Sequence, residues 1–157
     1  YWALAHGHWK HAADKPLRVD AAIGRDPRNR LRMAVVDIAR QAGKPSQTDF
    51  TLIGNSTSNT SPASCWVHCK LHTGRTHQIR VHMQHLGHPL LADALYGGVT
   101  AFGMQRQALH AFSLQLQHPI TLQQIQCRAS LPADMQAAIC AMGLPLPATH
   151  TQAATGN

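Results

Sequence analysis

Glutamate is missing from this chain of 157 residues: all seven acids are aspartate, against 14 lysines and arginines, for a formal net charge of +7. The imbalance points to a polyanionic partner, because cationic side chains displace condensed counterions from phosphate backbones. Long apolar runs are also missing. None approaches the eighteen or so residues that a membrane-spanning helix needs, so no membrane partner is expected. No charged segment precedes an apolar one in the manner of a secretory signal. The chain opens at Tyr1 rather than Met and is at once in patterned sequence, which makes it read as a fragment. Paired CxxC spacing is absent too. Cys65 and Cys69 alternate with Val67 and Leu71 on one strand face, as buried small hydrophobes do. With Cys127 and Cys140 they read as reduced cysteines of a cytoplasmic protein.

What is present is arginine in clusters: Arg25, Arg28, Arg30 and Arg32, then Arg75 and Arg80. Clustering favours nucleic acid over a basic surface kept for solubility. The length fits one domain. Residues 1–9 read as a strand ending at Gly7, and 15–33 as a basic connecting segment with short extended pieces. Residues 34–43 fit either a strand or a short helix. TDFTLIG (48–54) and residues 65–72 read as strands around a polar loop at 55–64. From Thr76 the period changes: Ile79, Met83 and Leu86 share an arc of about 60° on a helix, with His77, Arg80 and Gln84 roughly opposite. LHAFSLQLQHP (109–119) and ITLQQIQCRA (120–129) suggest a hairpin through a short His-Pro connection. Ser130 is expected to cap a last helix striped by Leu131, Met135, Ile139 and Met142 and ended by Gly143. The class expected is α+β, a mixed, mainly antiparallel sheet with two or three flanking helices. Residues 1–144 form the domain and 145–157 a disordered tail.

Twelve histidines raise the question of metal, but HxxH spacing at His82, His85 and His88, with no nearby glutamate or cysteine, argues against it. His82 borders the apolar face and fits a hydrogen-bonded interior histidine. Arg75 follows Gly74 at a strand-to-helix turn. A guanidinium there can grip a carboxylate or phosphate through two hydrogen bonds, or simply be solvated. Arg80 and Gln84 fit phosphate contact or solvation, and Tyr1 fits a core aromatic.

The order of these motifs is more specific. TGRTHQIRVHMQHLGHPLLADALYGG (73–98) closely resembles the signature of the RluA-type pseudouridine synthases: TGRxHQIRxH, then GHP, a small residue, Asp and Tyr-Gly. Upstream, YWALAHG is similar to the family's YxAxxxG element, GRDPRNRLRMAVV to its GR-P-R-MAV segment, and GKPSQTDF to GKxxxT. Downstream, LHAFSLQLQHP is similar to its LHA hairpin. The likeness covers about residues 1–132 and departs at Ala92, where many members have Gly. Within the family it is nearest the synthase D type, which acts on the RNA of the large ribosomal subunit.

The resemblance implies the C-terminal part of a pseudouridine synthase catalytic domain, an isomerase acting on RNA, with ribosomal large-subunit RNA as substrate. The glycosidic bond breaks, the uracil turns, and C5 replaces N1, so neither cofactor nor metal is required. The target base must leave its stack. In the family an Asp is the nucleophile, an Arg pairs with it and a Tyr stacks on the base. Those last two roles fall to Arg75 and Tyr1, with His77, Arg80, Arg30 and Arg32 expected along the RNA. The nucleophile's HRLDxxTSG element does not occur here. None of Asp14, Asp20, Asp26, Asp37, Asp49, Asp93 or Asp134 has its context. The expected partner is therefore the missing N-terminal part of the same catalytic domain, without which this chain is inactive. The alternative is a non-catalytic RNA-binding module of the same fold.

Overall fold

The computed structural model describes residues 1–57 and 59–147; the tail expected to be disordered falls mostly outside them. The strands are β1 (Trp2–His6), β2 (Leu17–Asp20), β3 (Ile23–Arg25), β4 (Met33–Val35), β5 (Gly43–Lys44), β6 (Gln47–Asn55), β7 (Ser64–Leu71), β8 (Leu109–His110), β9 (Ser113–Gln117) and β10 (Gln124–Arg128). Helix α1 (Gln78–His85) follows β7, a 3-10 turn covers Ala94–Tyr96, and α2 (Ala133–Ala141) comes last. This is the α+β fold expected, and every strand pair among the described residues runs antiparallel.

The central sheet has the order β2-β6-β7-β1-β8. Alternation along its strands gives it two apolar faces. Ala3, Ala5, Phe50, Cys65, Val67 and Cys69 point to one, where Ile79 and Met83 of α1 cover them. Leu4 and Trp66 point to the other, under Met135, Ala138 and Ile139 of α2 and Met142 at its end. The result is helix, sheet, helix. Burial pushes the Cys65 and Cys69 thiols up to about 12, so both stay protonated packing groups. The three-stranded sheet β4-β3-β5 lies outside this sandwich, joined to α1 and the 3-10 turn through Ile23, Val81 and Tyr96.

One open reading is decided and two local expectations are corrected. Residues 34–43 form no helix: β4 ends at Val35, and Asp37 closes a tight turn, its carboxylate accepting from Ala39 N and its carbonyl from Arg40 N. The hairpin is shorter than the pattern implied. Leu109 and His110 leave it to pair with Ala3 and Trp2, and the β9–β10 turn spans residues 118–123. Ser130 does not cap α2, whose N-cap is Pro132 with no side-chain hydrogen bond. Asp134 in the first turn accepts from Met135 N at 2.8 Å instead and places a negative charge near the helix's positive end.

Ser130→Ala should change unfolding free energy by less than about 0.5 kcal/mol, whereas a working N-cap would cost about 1 kcal/mol. Gly98→Ala should cost about 1–3 kcal/mol, because a Cβ there collides with the Leu90 carbonyl oxygen. Urea melts measure both; a Ser130 loss of the full cap value, or a silent Gly98 variant, would contradict this account.

Candidate active site

Antiparallel pairing brings the start of β1, the end of β7, the start of β6 and the end of β2 to one rim of the central sheet. Tyr1 lies at that rim, its backbone opposite Cys69, with its side chain half-buried against the sheet's core. Arg75 lies four residues past the end of β7, at the same rim. A closed polar network shapes the turn that carries it. The buried Gln78 carboxamide accepts from Arg75 N at 2.9 Å and from the Thr73 hydroxyl at 2.8 Å. Its nitrogen donates to the Gln47 carbonyl and to Thr48 Oγ1, each at 3.0 Å. Thr48 in turn donates to His82 Nδ1 at 2.9 Å, and His82 Nε2 donates to the Ala21 carbonyl at 3.0 Å. His82 is thus a fully buried, neutral interior histidine with both ring nitrogens engaged, as its place beside the apolar face suggested.

The Arg75 side chain is held more loosely. Nε donates to the Pro45 carbonyl at 3.2 Å, and among the described residues no carboxylate lies within 4 Å of the guanidinium. Five of the seven aspartates hold a cation elsewhere, and Asp20, at the end of β2 on this rim, accepts from the Gln47 side chain at 3.0 Å. Asp49, two residues into β6, holds Arg18 at 2.7 and 3.0 Å and His72 at 2.7 Å, and the Arg18 hydrogen bond keeps its carboxyl far below the usual range. Asp26, Asp37, Asp93 and Asp134 pair with Arg32, Arg40, Arg80 and Arg106. A planar fork with its terminal nitrogens unengaged can grip a carboxylate or phosphate.

Arg80 is placed otherwise than the helical pattern suggested. Its side chain is 13% exposed and grips the 1% exposed carboxylate of Asp93 at 2.8 and 2.7 Å. The guanidinium also lies 4.8 Å from the centre of the Tyr96 ring. Arg32 approaches the same ring at 5.3 Å and Asp26 at 3.6 Å, an ion pair without a hydrogen bond at Nε. His77, whose backbone is left-handed at φ 57°, accepts from the Tyr96 hydroxyl through Nδ1 at 2.9 Å. Burial raises the Tyr96 hydroxyl and lowers His77, which keeps the donor protonated and the acceptor neutral. Arg30 is exposed on the β3–β4 connection. Four residues escaped the sequence reading: Gln78, Thr48, Thr73 and Tyr96. All stand inside the motifs quoted above, Thr48 in GKPSQTDF and the others in the 73–98 block. No spacing rule tells which motif side chains turn inward.

The model of the RNA pseudouridylate synthase family matches residues 1–85. The ribosomal large subunit pseudouridine synthase D of Nitrosomonas europaea is 44% identical over 132 residues, covering 79% of this chain and 36% of that protein. A Chloroflexus aurantiacus protein described as an uncharacterized RNA pseudouridine synthase is 44% identical over 119 residues, covering 75% of this chain and 35% of its own. The chain thus spans about a third of the length of these curated relatives. Among solved structures, human RNA pseudouridylate synthase domain containing 1 superposes with a TM-score of 0.71 at 29% identity, covering 87% of this chain and 56% of that one. Human RNA pseudouridylate synthase domain containing 4, at 20% identity and a TM-score of 0.65, shares the fold.

Arg80→Gln should destabilise the protein by about 3–5 kcal/mol, because it strands the Asp93 carboxylate in the interior; an exposed RNA contact would shift urea melts by less than about 0.5 kcal/mol. A second expectation concerns acid. Burial lowers His82, His77 and His68 below the ordinary histidine value of 6.5. The unfolded chain therefore takes up protons first, so stability is full above about pH 6.5 and falls as pH drops below it. Melting temperature should fall between about pH 7.5 and 5.5, less steeply in His82→Gln. An identical slope in that variant would exclude His82 as a contributor.

Proposed function

This chain belongs to the RNA pseudouridylate synthase family, and from that premise we propose that it forms part of the catalytic domain of an enzyme isomerising uridine to pseudouridine in ribosomal large-subunit RNA. The observation that carries the reading is the Arg75 fork, held at the sheet rim with no carboxylate partner among the described residues. In the reaction the bond from C1′ to N1 breaks and one from C1′ to C5 forms; C5 loses its proton and N1 gains one. A carboxylate opposite Arg75 attacks C1′ and expels the uracil through N1, then leaves C1′ as C5 bonds there, and the guanidinium orients that carboxylate by two hydrogen bonds. Tyr1, at the same rim, stacks on the extruded base and assists the proton's removal from C5.

Five aspartates already hold a cation, Asp20 accepts from Gln47, and none of the seven has the nucleophile's sequence context, so in this reading the attacking carboxylate comes from residues outside these 157. The ribosomal target rests on the name of the Nitrosomonas europaea relative, and such a substrate puts the enzyme in the cytoplasm. Of the side chains expected along the RNA, Arg30 and the free edge of His77 keep that role, while Arg80 and Arg32 brace Tyr96.

With the full-length protein, pseudouridine should form in a large-subunit RNA transcript, read as carbodiimide-adduct stops in primer extension. Arg75→Lys should lower that rate by at least about 100-fold with RNA affinity little changed, because lysine keeps the charge but cannot hold the carboxylate in a two-point grip. The 157 residues alone should form none. Wild-type turnover by the variant would remove Arg75 from its role, turnover by this chain alone would overturn the external acid, and no pseudouridine from the full-length protein would remove the assignment.

A further inference from the structure

We propose that Thr48 and Gln78 are positioning residues for the isomerisation, acting through Arg75 by fixing both its backbone and the carbonyl on which its side chain rests; this deepens the reading above and rests on it. The GKPSQTDF segment (43–50) supplies that carbonyl. Arg75 Nε donates to Pro45 O at 3.2 Å. Two residues on, the Gln47 carbonyl accepts from Gln78 Nε2 at 3.0 Å and from His72 N at 3.1 Å, while Gln47 N donates to Thr73 Oγ1 at 2.9 Å. The Gln78 oxygen accepts from Arg75 N at 2.9 Å. One carboxamide thus locates the root of the Arg75 side chain and, through Gln47, the carbonyl that holds its Nε. Only the terminal fork is left to meet a carboxylate.

The protons of this network have one order. His82 Nε2 faces the Ala21 carbonyl, so it carries the ring's proton and Nδ1 accepts. The Thr48 hydroxyl gives its proton to Nδ1, which leaves its oxygen to accept from Gln78. A flipped Gln78 would set its oxygen against the Gln47 carbonyl and its N–H groups against Arg75 N. Thr48 is 0% exposed and Gln78 2%, so bulk water does not replace a lost partner. Without the Thr48 hydroxyl the carboxamide loses the partner that fixes its second N–H.

The test uses the full-length protein and the large-subunit transcript. Thr48→Val keeps the side chain's shape without its hydroxyl; kcat should fall at least about 10-fold with KM within about 2-fold, as a misaimed fork loses transition-state contacts. Thr73→Val, at a half-buried position on the same carboxamide oxygen, should act alike and decides the matter if Thr48→Val does not fold. Thr48→Ser, which keeps the hydroxyl, should recover kcat to within about 3-fold. In an Arg75→Lys background the loss from either valine should shrink below about 2-fold, because it acts only through the arginine.

A network that served the fold alone would cost the same factor of active enzyme whichever residue stood at position 75. That result, or an unchanged kcat in the folded valine variants, would overturn the proposal. A second readout needs no turnover. Exchange of the Arg75 Nε proton with water, followed by NMR and assigned by its loss in Arg75→Lys, should quicken at least about 5-fold in the folded valine variants. Unchanged exchange overturns the positioning role. Faster exchange beside absent wild-type turnover supports the positioning of Arg75 while removing the enzyme assignment.

Discussion

The direction of Arg75 depends on one buried carboxamide. Gln78 has two acceptor sites on its oxygen and two N–H donors, and all four are used, on Arg75, Thr73, Gln47 and Thr48. Those partners come from the β6 strand, the exit of β7 and the turn itself, so a single side chain ties three pieces of backbone together. Each bond left unmade in this dry setting would cost about 1–3 kcal/mol. The network can therefore be satisfied in one arrangement, and in that arrangement the Arg75 backbone is pinned while its guanidinium remains at the rim.

Arg75 and Arg80 stand five residues apart in one motif and meet opposite ends. Arg80 faces a carboxylate delivered by the loop that follows α1, and together they fill the space over Tyr96. Arg75 faces a carbonyl oxygen, which holds one nitrogen and leaves its charge uncompensated. A helical wheel left Arg80 facing either phosphate or solvent because a wheel describes α1 alone. Residues 90–98 fold back over that side of the helix, with Gly98 N bonded to the Asp93 carbonyl at 2.9 Å, and turn an apparent surface into an interior. The polar face of a helix means solvent only where no later segment returns to cover it.

The same distinction separates what was legible in the sequence from what was not. β6, β7, α1 and the stripe of α2 were legible, since their patterns record burial against the central sheet, the largest local signal available. Residues 34–43 were ambiguous because their apolar residues serve neither a helix nor the central sheet; Val35 packs toward Ile23 and α1 instead. Ser130 looked like a cap from its neighbours, yet the chain enters α2 through an extended Pro132, which takes the N-cap position itself. Leu109 and His110 followed the hairpin's alternation but answered to β1, whose outer edge they and Ala108 complete. The order of motifs carried the site further than periodicity could. It grouped Tyr1, Thr48, Arg75, Gln78 and Tyr96 without saying which would face inward.

Tyr96 shows why that grouping has a physical basis. Its ring is 1% exposed, lies under two guanidinium groups and carries a hydroxyl that accepts from Met33 and donates to His77. Phenylalanine would fill the same volume but leave the Met33 N–H and His77 Nδ1 without partners in a partly buried setting. The hydroxyl therefore links the arginine-bearing outer sheet to the helix start beside Arg75. His77 is held left-handed at that junction, a conformation that costs a residue with a Cβ of order 1 kcal/mol or more. Such a cost persists only where surrounding contacts over-determine the backbone. Here they do, with the Gln78 network on one side and the Tyr96 hydroxyl on the other, and Arg75 emerges from between them.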